Sequence, residues 1–109
     1  MKQLRLFCIV TFILISLQSY SQLVISEILA SNKNSIKDQF GLNSDWIELC
    51  NNSTTTINLL NWSLTDDSSQ PFKWRFPSVS LAPGEYMIVF ASDKNISETS
   101  NYLHTNFKL

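Results

Sequence analysis

Two glutamates lie within apolar segments and have the residue type of an acid–base pair. Glu27 lies in LVISEILA (23–30) and Glu48 in DWIELCN (45–51). Two carboxylates about 5 to 9 Å apart can hydrolyse a glycosidic bond. A glutamate beside an apolar stripe more commonly accepts hydrogen bonds or pairs with Lys or Arg, so we favour a structural role and predict no catalytic residue.

Asp66 and Asp67, in LTDDSSQP, are the candidate metal ligands. Adjacent carboxylates with neighbouring hydroxyls are hard ligands of the kind that Ca²⁺ prefers. Their spacing matches no EF-hand, and an Asx turn explains the same residues. A zinc site needs three or four ligands, and Cys50 and His104 are the only soft ones after residue 21. We therefore predict no metal and no cofactor.

Three tryptophans, Trp46, Trp62 and Trp74, are the candidate binding residues. Together with Tyr86 and Phe76 they could stack against sugar rings. The alternative is that they pack in and around the core, as large aromatic side chains commonly do. An exposed tryptophan on a flat face would favour glycan binding.

The N-terminus resembles an export signal. Lys2 and Arg5 precede an apolar run over 6–17, which has the length of a signal-peptide core and is too short for a membrane span. Ser19 and Ser21 supply small residues, so we predict cleavage after Ser21. Residues 1–21 are then the signal peptide, 22–109 form one domain without a transmembrane segment, and the protein is secreted or on the cell surface.

The charge and cysteine content of residues 22–109 exclude several roles. Removing residues 1–21 takes two of the eight basic residues and none of the nine acidic ones, which leaves a net charge of −3. A negative charge disfavours nucleic acid and anionic membranes as partners. Cys50 is the single thiol that remains, and without a neighbouring base it is predicted to be a small buried hydrophobe.

Short apolar runs separated by polar loops predict an all-β, antiparallel sandwich. No stretch has helical periodicity. Pro83 and Gly84 in LAPGEY predict a type II turn before the last strand. The predicted strands are 23–30, 45–51, 56–60, 62–65, 73–76 and 86–92.

Alternation along the strands predicts which side chains are buried. Ile47 and Leu49 should face the core, and Trp46, Glu48 and Cys50 a half-covered face. In the first strand, Ile25, Glu27 and Leu29 should share one face and Ile28 the other. The predicted core comprises Ile25, Ile28, Ile47, Leu49, Leu59, Leu64, Ile88 and Phe90, with Trp46, Trp62 and Trp74 around it.

Six segments in register resemble the bacterial branch of the lamin tail domain family. The family usually has Asn where Ser26 stands and an aromatic residue where Cys50 stands, so we assign neither a role. The segments are VISEILASN (24–32), SDWIELCN (44–51), NWSLTDD (61–67), KWRFP (73–77), LAPGEYMIVFAS (81–92) and LHTNFKL (103–109).

The resemblance implies an immunoglobulin-like sandwich whose role is binding or attachment to a protein, glycan or surface, not catalysis. In bacteria it implies a module at the N-terminus of larger exported proteins, ahead of a spore-coat-H-type kinase-like domain or beside nuclease, phosphatase or adhesion domains. The alternative function is therefore an accessory domain of an exported enzyme whose catalytic domain lies beyond residue 109. The family pattern continues with further strands after LHTNFKL, so we expect the domain over 22–109 to be C-terminally incomplete; a small protein that closes by dimerisation is the alternative.

Overall fold

The computed structural model describes residues 22–98 and 101–109, and this part of the chain is built from β-strands without a helix. The predicted signal peptide and its cleavage point lie outside the described residues. The strands are β1 (Leu23–Leu29), β2 (Asp45–Asn51), β3 (Ile57–Asn58), β4 (Ser63–Leu64), β5 (Trp74–Arg75), β6 (Ser80–Leu81), β7 (Tyr86–Ala91) and β8 (Leu103–His104).

The strands form one large sheet and two small ones. The large sheet has the order β1-β2-β7-β8, and the small sheets pair β3 with β6 and β4 with β5. All pairs are antiparallel except β7–β8, which is parallel. The predicted all-β, antiparallel architecture is confirmed. The sequence pattern missed β6 and β8, whereas β3, β4 and β5, which are equally short, lie within longer predicted strands.

The core lies between the large sheet and the two small sheets, as in a sandwich. Ile47 and Leu49 of β2 and Val89 of β7 supply one side of it, and Leu59 and Trp74 belong to the other. This burial removes apolar surface from water and is the main source of stability, since the cysteine in the described ranges, Cys50, is a free thiol. Ile47, Leu49, Leu59, Trp74 and Phe90 are buried as predicted.

The opposite face of the large sheet is covered in part, as predicted, because Glu48 is half-buried and Tyr86 is exposed. The rest of this face is buried more deeply than the prediction implied. Trp46 and Cys50 are both buried there, and Trp46 pairs across the sheet with Phe90. His104 of β8 pairs with Phe90 on the other side of β7, and the two rings stack with centroids 5.2 Å apart. Phe40, from the β1–β2 connection, contacts His104 at 6.0 Å and covers these rings. Alternation alone could not show that a long connection folds over the second face. The burial of Cys50 itself is as predicted.

A β-bulge in β1 changes the facing of its side chains. The register shifts between Ile25 and Glu27, so Ile25 opposes Leu49 and Ile28 opposes Ile47. Both isoleucines therefore lie on the core-facing side, whereas strict alternation placed them on opposite faces. A bulge inserts one unpaired residue, here Ser26, which resets the alternation.

Several predicted core residues lie outside the core. Ile25 and Ile28 are 51% and 53% exposed, so their prediction as core is wrong. Trp62 is 45% exposed, and Leu64 and Ile88 are half-buried. Both isoleucines belong to β1, which is an edge strand of the large sheet among the described residues.

A turn before β7 and a buried asparagine at the end of β2 fix the ends of these strands. Gly84 has φ of 74°, and Glu85 N donates to Ala82 O at 3.0 Å, which confirms the predicted turn. Asn51 is fully buried, and its Nδ2 donates to Leu81 O at 2.8 Å and to Thr55 O at 2.9 Å. Its amide therefore links β2 to β6 across the sandwich.

No helix in the described ranges is long and apolar enough to cross a membrane.

Candidate functional site

From Val24 onward, β1 is an edge of the large sheet in the part of the chain that the structure describes. Within the described residues, β1 pairs on one side alone, with β2, so the stretch from Val24 to Leu29 has no strand neighbour on its other side. Backbone N–H and C=O groups along such an edge are free to pair with another strand. Edge strands are therefore natural places for contact with a partner.

An apolar groove runs between β1 and β4, beside this edge. Its volume is about 160 Å³. Trp62 lines it with 45% of its surface exposed, and Ile25 lines it with 51% exposed. We call Ile25, Ile28, Trp62 and this groove the β1-edge surface. The other residues that line the groove are Leu23, Val24, Leu49, Ser63, Leu64 and Phe76.

Glu27 and Glu48 are direct cross-strand partners, on the face of β1 and β2 that points away from the groove. Residues directly opposite in an antiparallel pair have Cβ atoms about 5 Å apart, and like charges there destabilise the pair. Ser26 Oγ donates to Glu48 Oε1 at 2.8 Å and satisfies part of that carboxylate. This Cβ spacing is compatible with acid–base chemistry, but neither glutamate lines the groove beside β1. The geometry presents the pair as two adjacent negative charges at a strand edge.

The three candidate tryptophans do not share one exposed face. Trp46 and Trp74 are buried, on opposite sides of the large sheet, and Trp74 packs edge-on against Phe76 at 4.8 Å. Trp62 is the exposed member and borders the β1-edge surface. A continuous platform of all three is therefore not present, and Trp62 remains the candidate binding residue.

Asp66 and Asp67 are both engaged by neighbouring side chains. Lys73 Nζ binds Asp66 Oδ1 at 2.8 Å, and this contact raises the pKa of Lys73. Asp67 Oδ1 accepts from Ser69 Oγ at 2.7 Å and from Ser69 N at 2.9 Å, which lowers the pKa of Asp67. This is the Asx turn that the sequence suggested. Among the described residues, no cluster of three or more His, Cys, Asp or Glu side chains is placed to hold a metal ion.

The sequence analysis missed a chain of hydrogen bonds that runs from the buried Ser92 and His104 to the exposed Gln39. Ser92 Oγ lies 2.6 Å from His104 Nδ1, and His104 Nε2 lies 2.7 Å from Gln39 Oε1. The amide oxygen of Gln39 accepts the Nε2 proton, so Nδ1 accepts the Ser92 hydroxyl proton. Burial lowers the pKa of His104, the charge of Asp38 opposes this shift, and that of Lys94 adds to it. Because Gln39 and His104 are 65 residues apart, no local pattern could have found this contact.

Asp38 anchors the connection that carries Gln39. Its Oδ1 accepts from Phe40 N and Leu42 N, and its Oδ2 accepts from Ser44 Oγ at 2.7 Å. Burial pushes the pKa of Asp38 upward, but these hydrogen bonds and the Lys94 charge outweigh it, so the pKa is lowered. The Ser92–His104–Gln39 chain therefore serves to fix the 30–44 connection over the sheet.

A second groove is lined by two exposed tyrosines. Tyr86 and Tyr102 border it, together with Ile36, and its volume is about 450 Å³. Interaction with Cys50, across the strand pair, raises the pKa of Tyr86. This groove is larger than the one beside β1.

Comparison with known proteins identifies the family. A family model for the Lamin Tail Domain matches residues 16–109, which is most of the chain. The chain belongs to the lamin tail domain family. No curated protein and no solved structure matches it.

Membership of the lamin tail domain family agrees with the geometry of the site. The family consists of non-catalytic, immunoglobulin-like domains, and the β-sandwich described above is of that kind. A lamin tail domain is compatible with a binding module. The β1-edge surface is the part of this lamin tail domain that combines an open strand edge with exposed apolar side chains.

Proposed function

We propose that this lamin tail domain is a non-catalytic attachment module of a larger protein exported by a bacterium, and that it contacts its partner through the β1-edge surface. The observation that carries the proposal is the exposure of Ile25 and Trp62, which line the groove, and of Ile28 on the same face of β1. Adjacent exposed apolar side chains of this size are typical of interaction sites, because burying them against a partner releases water from apolar surface.

The exposed isoleucines distinguish this surface from a purely structural edge. Soluble domains commonly protect an edge strand with charged side chains or a bulge. β1 has the bulge at Ser26 and the charge of Glu27, yet its core-facing side exposes two isoleucines. One face of β1 is thus protected against non-specific strand pairing, whereas the other exposes apolar side chains. This combination supports a role for β1 in contact with a specific partner.

Attachment is tested by the distribution of the exported protein in its producing organism. We compare the wild-type protein with an Ile25→Ser, Ile28→Ser double variant, and measure the fraction retained on the cell envelope. The wild type should be retained and the double variant should appear in the medium. Because both side chains are more than half exposed, the variant should fold, which the fluorescence of the buried Trp46 and Trp74 reports.

The matched control is Tyr102→Ser, which removes an exposed aromatic side chain from the second groove. It should leave retention unchanged. Retention of the double variant at the wild-type level, with both variants folded, would contradict the proposal.

A further inference from the structure

We propose that the partner of the β1-edge surface is an extended strand of another protein, with apolar residues on one face and a basic residue that pairs with Glu27 on the other. This inference rests on the proposed function, because it names the partner of the same surface. Three features carry it: the open edge of β1, the groove beside it, and the acidic pair at Glu27 and Glu48.

The open edge supplies the main-chain contacts. A strand that adds to β1 becomes the fifth strand of the large sheet. It forms hydrogen bonds with the backbone groups of β1 that face away from β2. The bulge between Ile25 and Glu27 interrupts a regular ladder. A regular partner strand therefore pairs best with the half from Glu27 to Leu29, next to the exposed Ile28, and its continuation passes the groove beside Ile25.

The groove supplies the apolar contacts. Alternate side chains of an added strand point to the core-facing side of the sheet, where Ile25 and Ile28 are about half exposed. Trp62 lines the groove together with Ile25, and Ile28 follows farther along the same face of β1. The strand should therefore have Val, Ile or Leu on this face, because each buried aliphatic side chain adds favourable transfer energy.

The acidic pair selects the charge of the partner. Side chains on the other face of an added strand join the row that already contains Glu27 and Glu48. The two carboxylates repel one another as direct cross-strand neighbours, and a Lys or Arg beside Glu27 converts this repulsion into attraction. A strand with Glu or Asp at that position adds a third negative charge and is rejected.

The same charges disfavour a second copy of this chain as the occupant. Antiparallel pairing of β1 with β1 of another copy, about a twofold axis normal to the sheet, places both Glu27–Glu48 pairs on one face. Four carboxylates would then be close together, in a domain whose net charge over 22–109 is already negative. A basic strand from a different protein meets no such repulsion.

The test uses two synthetic ten-residue peptides, one alternating Val with Lys and one alternating Val with Glu. Binding to the full chain is followed by the fluorescence of Trp62, because Trp46 and Trp74 are buried and supply a constant background. A Trp62→Phe variant should remove the fluorescence change. We expect the Lys peptide to bind at least about tenfold more tightly than the Glu peptide at low salt, and the preference to shrink as salt screens the charges.

Two variants separate the charge from the apolar contact. Glu27→Gln should reduce the preference for the Lys peptide to about threefold or less, since it removes the carboxylate nearest to the added strand. Ile28→Ser should weaken both peptides by a similar factor. The control Glu98→Gln removes one exposed charge beyond the β8 edge, next to the Ile96–His104 bridge, and should leave the preference unchanged.

Equal affinity for the two peptides, or a preference that survives Glu27→Gln, would overturn the inference. Cellohexaose is the third probe. A fluorescence change with the sugar and none with either peptide would also overturn strand addition, yet leave the β1-edge surface as the site of attachment. The attachment proposal is tested independently of the peptides: it fails if the Ile25→Ser, Ile28→Ser double variant is retained on the cell envelope like the wild type.

Discussion

At the scale of single residues, the most constrained side chain is His104. It is fully buried, stacks on Phe90 and joins Ser92 to Gln39. The charged groups near it are Asp38 and Lys94, which oppose each other in their effect on the His104 pKa. Burial favours the neutral ring, and a second proton on the ring would displace the Ser92 hydroxyl proton from Nδ1.

The neutral state of His104 predicts a pH dependence of stability. Because the folded-state pKa is below the ordinary value of 6.5, the unfolded chain binds more protons between these two values. The free energy of unfolding should therefore fall as the pH drops below about 6.5, and level off below the folded-state pKa. Urea titrations at pH 8 and at lower pH measure this.

The control is His104→Gln, which removes the titrating ring. Its stability should be lower at pH 8 and should change less between pH 8 and pH 5 than that of the wild type. Asp38 should not affect the difference between pH 8 and pH 5. Its pKa is lowered from 3.8, so its contribution to the free energy of unfolding is lost only at more acidic pH. Equal pH dependence of the two proteins over this interval would contradict the role of His104.

At the scale of elements, the sequence predicts the long strands well and the short ones poorly. β2 begins and ends where predicted, at 45 and 51. β1 and β7 each end one residue before the predicted end. The bulge at Ser26 has no local signal, since it depends on pairing with β2. The β1-edge surface was missed for the same reason: whether Ile25 and Ile28 are covered depends on which strands lie above them.

The turn between β6 and β7 gives a prediction at this scale. Gly84 has φ of 74°, a conformation that costs a side-chain-bearing residue about 1 kcal/mol or more. Gly84→Ala should lower the free energy of unfolding by about 1 kcal/mol, as measured by urea titration. Space is not the reason, because an added Cβ meets no atom within 4 Å.

Gly84→Asn is the matched comparison, since Asn accepts positive φ more readily than Ala, as Asn61 and Asn95 do in this chain. It should cost less than Gly84→Ala. Equal loss in both variants would show that the turn does not depend on backbone conformation.

At the scale of the whole molecule, stability depends on the core between the sheets. Leu59 is fully buried among the residues of both layers, and its neighbour Leu60 is 51% exposed. Leu59→Ala should lower the free energy of unfolding by about 3 kcal/mol, because a buried cavity is left behind. Leu60→Ala should change it by about 0.5 kcal/mol or less. Similar losses for the two variants, in one urea titration series, would contradict the described packing.

The sandwich also explains why attachment and folding can be separated. The core residues hold the two layers together, whereas Ile25, Ile28 and Trp62 lie beside it with about half of their surface exposed. Substitutions at the β1-edge surface should therefore affect binding more than stability. Substitutions in the core should have the opposite effect.

Amide hydrogen exchange measured by mass spectrometry would show whether the partner contacts the β1 edge. Exchange is compared for the exported protein alone and bound to envelopes of its producing organism. We expect slower exchange on binding in the segment from Val24 to Leu29 and around Trp62, and no change around Tyr86 and Tyr102. Slower exchange around the two tyrosines, with β1 unchanged, would contradict contact through the β1 edge.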